Sequence, residues 1–250
     1  MRQICLVARY LAPVVDELQS VLGLEVCHRD PGVGKYGLEN ALFPVGDKFL
    51  EVVAPVREGT TAGRYLDRRG GDGGYMVITQ CDDLAPRRQR CEALGVRIVN
   101  EIGYPAYREL QLHPRDVGAA MLSFGWQEGA RAPGGPWHPA GVGRGAAEGE
   151  PSEYKKSSAA SRSAAITGMT AAELQSEDPD RLARRWSQVT ERPVRMQGDQ
   201  RVIALDDALL RFTEATDGRG EGLAGLDLSC ADPGRRGLAV IGGVRFRLLA

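Results

Sequence analysis

The chain has 250 residues, and 42% of them are hydrophobic, which is enough apolar surface to build substantial cores. Its 32 basic and 33 acidic residues leave a formal net charge of -1, so no excess of positive charge is available to neutralise a nucleic-acid backbone. We therefore expect a globular protein that does not bind nucleic acid.

The first predicted elements follow the order β-α-β-β-β. RQICLVAR has the alternation of a strand, and PVVDELQSVLG has an apolar helical stripe that begins near Pro13 and stops before Gly23. Three further strands are predicted at LEVCHR, LENALFPV and FLEVVAPV, separated by the loop DPGVGKYG and the turn GDK.

The next segment repeats this order. GYMVITQ predicts a strand, Asp83 is a suitable N-cap, and LAPRRQRCEALG predicts a helix that ends at Gly95. RIVNEI, YRELQLH and AAMLSFGW supply three more strands around the turn HPRDVG. Because LGLEV at 22–26 and LGVRI at 94–98 each follow a helix directly, the two units form an internal repeat. Residues 1–126 are therefore predicted to be one domain of two units.

Residues 127–163 break the pattern. They are rich in Gly, Ala, Ser and Pro, so they predict a linker, in which Trp137 can pack against a domain. A third unit follows, with a helix that begins after Asp178, and a fourth unit has no room for a helix after Pro233. Residues 164–250 are therefore predicted to be a degenerate second domain whose last unit is truncated.

Cysteine usage and the N-terminal segment bear on the compartment. The five cysteines show no paired short spacing, and an odd number argues against a disulfide framework, so we expect reduced thiols in a cytoplasmic protein. The N-terminal apolar run is too short for a secretory signal, and no segment approaches the ~20 apolar residues of a membrane helix. We therefore expect no membrane partner.

The tandem β-α-β-β-β units resemble the vicinal oxygen chelate superfamily, which includes glyoxalase, bleomycin resistance and extradiol dioxygenase proteins. FLEVVAP and LHPRDVGAAMLSF carry the resemblance, which is stronger over residues 1–126 than over residues 164–250. It implies an α+β fold in which tandem βαβββ modules form two curved mixed sheets around cups. We expect the modules to pair within each half of the chain, although exchange between halves or between subunits would give similar cups. The resemblance to this superfamily, and only that resemblance, implies a small-molecule ligand.

The resemblance also implies a divalent metal, held by one residue from the first strand and one from the last strand of each module, usually two His with two Glu or Gln. The corresponding positions in this chain are Gln3, Glu51, Met76 and Ser123. Because a thioether and a hydroxyl complete that set poorly, we expect no metal ligands and no cofactor here, although Gln3 and Glu51 leave a divalent metal open. In the second half the matching positions are Ala171, Arg211, Gly225 and Arg247, which predict a scaffold or a pocket wall.

The predicted catalytic residues are Glu51 and Gln3. If Glu51 faces the cup, burial would raise its pKa and make it a usable general base, whereas strand alternation also allows it to face water. Gln3 could hydrogen-bond Glu51 or the substrate. The predicted substrate-binding residues are Met76, Ser123, His113 and Arg64. The alternative is that His113 only completes a turn and that Arg64 is a surface arginine in a charged loop.

Three functions are compatible with this set. The first is a lyase or isomerase that abstracts a proton next to a carbonyl of a small oxygen-rich metabolite. The second is a protein that binds a drug or metabolite without chemistry. The third is a conventional metalloenzyme of the superfamily such as a dioxygenase, which the missing histidine pair disfavours. A protein used mainly for oligomerisation is the least favoured interpretation. A homodimer is left open.

Overall fold

The computed structural model describes residues 1–130, Trp137 and residues 165–250. The strands of the first half are β1 (Gln3–Val7), β2 (Leu38–Val45), β3 (Lys48–Pro55), β4 (Gly73–Gln80), β5 (Ile98–Tyr104), β6 (Tyr107–Leu112) and β7 (Met121–Gln127). Its helices are α1 (Leu11–Leu22), α2 (Thr61–Arg69), α3 (Leu84–Ala93) and the one-turn α4 (Pro114–Val117), with a 3₁₀ helix at Pro31–Tyr36.

The second half has the same kinds of element. Its strands are β8 (Ile166–Ser176), β9 (Val194–Gln197), β10 (Gln200–Ala204), β11 (Leu209–Glu214), β12 (Gly222–Cys230), β13 (Gly237–Ile241) and β14 (Val244–Leu249). The helix α5 (Pro179–Thr190) follows β8, and a 3₁₀ turn at Pro233–Arg235 follows β12. The last unit therefore has a single turn where the other three units have a helix.

The strands form two mixed sheets of seven strands, one from each half of the chain. The orders are β2-β3-β1-β4-β7-β6-β5 and β13-β14-β12-β8-β11-β10-β9. In the first sheet β1 pairs with β3 in parallel and with β4 in antiparallel fashion, so β1 and β4 join the two units of that half. The predicted α+β fold of tandem βαβββ modules is confirmed, and the modules pair within each half.

The structure confirms the helix starts and ends that were predicted from capping residues and glycines. Helix α1 buries Val14, Leu18 and Leu22, and it ends at Gly23, whose φ of 68° is a left-handed value that glycine adopts without strain. Asp83 caps α3 and Asp178 caps α5 through side-chain oxygens that accept backbone N–H groups of the first turn.

Two local predictions were wrong. LEVCHR contributes only an isolated bridge between His28 and Leu42 in place of a strand. The segment with Arg64, expected to be a charged loop, is helix α2, because Thr60 accepts a hydrogen bond from the Gly63 amide and Leu66 anchors a buried face. Most of the predicted linker at 127–163 lies outside the described residues.

One hydrophobic core spans both halves. It fills the helix-covered faces of the two sheets and includes Leu6 and Leu18 from the first half and Trp186 and Phe212 from the second. A second cluster lies on the opposite face of the first sheet. There Trp137 is buried, with its ring 5.9 Å from that of Tyr107 and packed against Gly125.

The two halves meet at close backbone contacts. A Cβ atom added to Gly74 of β4 would lie 2.5 Å from the carbonyl oxygen of Leu223 on β12, so only glycine fits there. Arg69, the last residue of α2, donates from Nη1 to the carbonyl oxygens of Arg219 and Gly220 at 2.6 and 2.9 Å. The second half therefore supports the first at two adjacent elements. No helix among the described residues is long and apolar enough to cross a membrane.

Candidate functional site

A cavity of about 460 Å³ covers the face of the first sheet that is turned away from α1. We call this cavity the cup. Every strand of the first sheet contributes to its lining, together with the loop and 3₁₀ segment at 30–36 and the segment at 57–62. Successive side chains of a strand point to opposite faces of the sheet. In β1, Gln3 and Cys5 therefore line the cup, whereas Ile4 and Leu6 enter the core. Its volume is in the range of small-molecule sites.

Glu51 is held in the cup by two side-chain amides. Asn40 Nδ2 donates to Oε1 at 2.7 Å, and Gln3 Nε2 donates to Oε2 at 2.8 Å. Burial raises the pKa of the Glu51 carboxyl, although hydrogen bonds from Asn40, Cys5 and Gln3 oppose that rise. The result is an oriented carboxylate whose pKa lies above its usual value, as a general base requires.

A second buried carboxylate, Glu109 on β6, lines the same cup. Tyr107 Oη donates to its Oε2 at 2.6 Å, and Gln111 Nε2 donates to its Oε1 at 3.2 Å. Burial and the nearby Glu109 charge raise the pKa of Tyr107 well above its usual value, so the phenol keeps its proton. The charge of Glu109 also raises the pKa of Glu51, which places both carboxylates in one electrostatic environment.

Hydrogen bonds connect Glu109 to the rim of the cup. Gln111 Oε1 accepts from Asn100 Nδ2 at 2.9 Å, and the same Asn100 nitrogen lies 2.9 Å from Tyr36 Oη. Tyr36 belongs to the 3₁₀ helix and Asn100 to β5, so this bond joins opposite sides of the cup. These hydrogen bonds therefore connect the buried Glu109 carboxylate, through Gln111 and Asn100, to Tyr36 at the rim of the cup.

The four family-aligned positions do not form a metal site. Gln3, Glu51 and Met76 line the cup, but Gln3 and Glu51 are hydrogen-bonded to each other and Met76 supplies only a thioether. Ser123 is fully buried and is not among the described residues that line the cup. This donor set does not fit a hard or borderline divalent ion. Among the described residues, no group of three or more His, Cys, Asp or Glu side chains is arranged to hold a metal.

His113 and Arg64 lie away from the cup lining. His113 caps α4 by accepting the Arg115 N–H on Nδ1 at 3.1 Å, and its pKa is lowered, mainly by burial. Arg64 donates to the Gly59 carbonyl oxygen at 2.6 Å, within its own segment. In the part of the chain that the structure describes, the arginine that lines the cup is Arg57.

The sequence interpretation missed the residues that complete the site. They are Cys5, Asn40, Tyr107, Glu109 and Gln111. A signal was present for most of them, because polar residues alternate with apolar ones in YRELQL and in LENALF. That alternation was used to predict strands, but it does not say which face of a strand is turned toward a cavity.

The corresponding face of the second sheet is occupied by ion pairs. Glu173 accepts from Arg245 at 2.7 Å and from Arg247 at 2.6 Å, and Asp227 pairs with Arg211 and Arg247. The strand registers are equivalent, since Arg211 lies opposite Glu173 as Glu51 lies opposite Cys5. The position of Glu51 is thus taken by an arginine in the second half.

The fold and the cup define a protein of the vicinal oxygen chelate superfamily. A sequence model described as "Glyoxalase-like domain" matches residues 4–190, and the chain belongs to this glyoxalase-like family. No curated protein sequence matches the chain.

Several solved structures are similar to this chain at low sequence identity. A hypothetical protein from Staphylococcus aureus is 12% identical with a TM-score of 0.66, and the match covers 99% of this chain and 97% of that chain. The methylmalonyl-CoA epimerase of Mycobacterium tuberculosis is 22% identical with a TM-score of 0.44, over 50% of this chain and 86% of that one. The methylmalonyl-CoA epimerase of Streptomyces coelicolor, in complex with 2-nitronate-propionyl-CoA, is 20% identical with a TM-score of 0.46, over 51% of this chain and 96% of that one.

Proposed function

We propose that the protein is an isomerase or lyase that abstracts a proton next to a carbonyl group, with Glu51 as the base and without a metal. The observation that carries the proposal is the arrangement of Glu51, a carboxylate buried in a ligand-sized cavity and fixed by two amides. A carboxylate that only stabilises a fold is usually paired with a cation, whereas the hydrogen-bond partners of Glu51 are neutral.

The proposed step uses groups already in place. The proton moves from the substrate carbon to a Glu51 carboxylate oxygen, and the electron pair of the broken C–H bond moves to the carbonyl oxygen. Gln3 and Asn40 each use one amide N–H on Glu51, and a second N–H of either amide can donate to the developing oxyanion. In an isomerase, the proton held by Glu51 then returns to a carbon of the substrate, and in a lyase the same proton goes to the leaving group.

Deuterium uptake tests the proposal before the physiological substrate is known. A panel of small ketones, esters and thioesters is incubated with the protein in deuterated water, and loss of the C–H signal next to the carbonyl is followed by proton NMR. We expect at least one compound to exchange faster than in buffer, and to exchange at the buffer rate with Glu51→Gln. Equal rates for the two proteins would contradict the role of Glu51.

A second function is favoured by the apolar part of the cup. Leu42, Val53, Met76 and Met121 provide a wall that can hold a drug or metabolite without chemistry. This binding function makes a separate prediction, because a panel compound would then stabilise the fold while its C–H bonds exchange no faster than in buffer.

A further inference from the structure

The charges of the cup are divided between its inner part and its rim. The inner part contains the buried acids Glu51 and Glu109, which are 8% and 2% exposed. The positive charges among the described lining residues are Lys35 and Arg57, and both of these side chains are exposed. A ligand therefore meets opposite electrostatic conditions at its two ends.

The inner part disfavours an anion. Burial is the main cause of the raised pKa of Glu51, and the charge of Glu109 adds to it. The hydrogen-bond partners of the two glutamates are neutral amides, a thiol and a phenol. A free carboxylate at the reacting end would place a third negative charge among them with no cation to compensate it. The reacting carbonyl compound must therefore be uncharged at that end.

The rim favours an anion. Lys35 lies in the 3₁₀ helix with its Nζ 4.8 Å from the Tyr36 ring centroid, and Arg57 lies beside that segment, since a Cβ on Gly37 would clash with its side chain. Within the described residues Arg57 makes no ion pair. Asp30, the acid of this rim, accepts the Gly32 N–H at 2.7 Å. The rim thus retains a net positive charge.

The middle of the cup is apolar and lies between these two regions. Its wall includes Val53, Met76, Ile78 and Met121, and the aromatic rings of Tyr36 and Tyr104 border it toward the rim. These residues suit a hydrophobic or aromatic body more than a polyol.

We infer that the substrate class of this site is a carbonyl compound with an uncharged reacting end, an apolar body and an anionic group at its far end, which Lys35 and Arg57 bind. The inference rests on the proposed function for the identity of the reacting end. In this inference Lys35 and Arg57 bind the end of the substrate that lies far from Glu51.

Three compounds with one skeleton test the inference by isothermal titration at low salt. Benzylacetone has an uncharged ketone and no anion, para-carboxybenzylacetone carries an anion at the far end, and benzylpyruvate carries a carboxylate on the reacting carbonyl. We expect para-carboxybenzylacetone to bind about fivefold more tightly than benzylacetone, which is the effect of an exposed ion pair. We expect benzylpyruvate to bind about tenfold more weakly than benzylacetone.

Variants of the protein test which residues cause these differences in affinity. The double variant Lys35→Ala with Arg57→Ala should bind benzylacetone as before and lose the advantage of para-carboxybenzylacetone. Arg68→Ala is the matched control, because Arg68 is an exposed α2 arginine outside the cup lining. Glu51→Gln should reduce the penalty on benzylpyruvate, since it removes one inner charge.

Specific results would overturn the inference. They are benzylpyruvate binding as tightly as para-carboxybenzylacetone, an anion advantage that survives the double variant, or no heat of binding with any of the three compounds. Because titration measures no proton transfer, the expected binding pattern without deuterium exchange would refute the proposed function alone. Exchange without that pattern would refute only the substrate class.

Discussion

The two seven-stranded sheets have equivalent registers but different chemistry on corresponding faces. In the first sheet, amides hold Glu51 at the surface of a cavity. In the second sheet, the equivalent position is Arg211, which pairs with Asp227, while Arg245 and Arg247 pair with Glu173. Carboxylates occur on both faces, but only those of the first sheet have neutral partners.

This difference shows how one topology serves two purposes. In the second sheet, although burial opposes it, hydrogen bonds from Arg247 and Arg245 lower the pKa of Glu173, whereas burial and the charge of Glu173 raise the pKa of Asp227 to about 6. The oxygens of Asp227 are nevertheless occupied by Arg211 and Arg247. A carboxylate that is buried among amides keeps a raised proton affinity and can exchange a proton with a ligand. The partners of the acid, more than its place in the fold, therefore distinguish the candidate site from the supporting sheet.

The largest expected effect comes from removing the acid in each sheet. Glu51→Gln should lower the rate of deuterium exchange about 100-fold or more, because the base is lost while the hydrogen-bonded shape is kept. Glu173→Gln is the matched change in the second sheet. It should leave exchange within about twofold and lower the free energy of unfolding by about 1–3 kcal/mol, since arginines lose their partner. Similar exchange losses in both variants would show that the two sheets do not differ in this way.

The contact between the sheets provides the next test. Gly74→Ala should lower the free energy of unfolding by about 1–3 kcal/mol, because its methyl group would overlap the backbone of Leu223. Gly103→Ala is the control, since no atom lies within 4 Å of a Cβ at that strand position. Urea denaturation measures both. Equal stability of the two variants would mean that the sheets do not pack as closely as described.

A charge on the apolar wall should separate ligand binding from folding. Met76→Lys places an ammonium group in the cup, and we expect it to abolish the thermal stabilisation given by a bound ligand while the circular dichroism spectrum stays native. Met196→Lys is the control on the second sheet, where the side chain is exposed. If Met76→Lys left the ligand-induced shift intact, the ligand would bind elsewhere.

The smallest effects concern pH, and they have opposite signs for Glu51 and Glu173. Because burial raises the folded pKa of Glu51, wild type should lose stability relative to Glu51→Gln as pH rises from the unfolded value through the raised one. Although burial opposes it, hydrogen bonds from Arg247 and Arg245 lower the pKa of Glu173, so its contribution is lost as pH falls through that lowered value. Unfolding free energies measured between about pH 3 and 8 give both slopes. Slopes of the same sign for Glu51 and Glu173 would contradict the contrast.

Much of the fold follows from patterns that extend over few residues. Alternation predicted the strands that became β1 to β4, and capping by Asp83 and Asp178 predicted two helix starts, because these signals depend on neighbouring residues. LEVCHR has strand composition, but it forms only one bridge to β2, and no local rule reports whether a partner edge exists.

The site was less predictable than the fold. Glu51 and Gln3 were predicted through the superfamily resemblance, and the structure brings them within 2.8 Å of each other, although their chemical roles stay predictions. Asn40 lies on β2 and Glu109 on β6, which are far apart in the sequence. The order of the strands in the sheet brings both residues to one cavity. Sequence spacing contains no information on that order.

Trp137 gives the cup an intrinsic optical reporter. Its indole contacts Tyr107, which lines the cavity, and lies 5.8 Å from the Arg2 guanidinium. The chain has three tryptophans, and the difference in emission between wild type and Trp137→Phe isolates the signal of Trp137. Its fluorescence would then register occupancy of the cavity directly, without a labelled ligand.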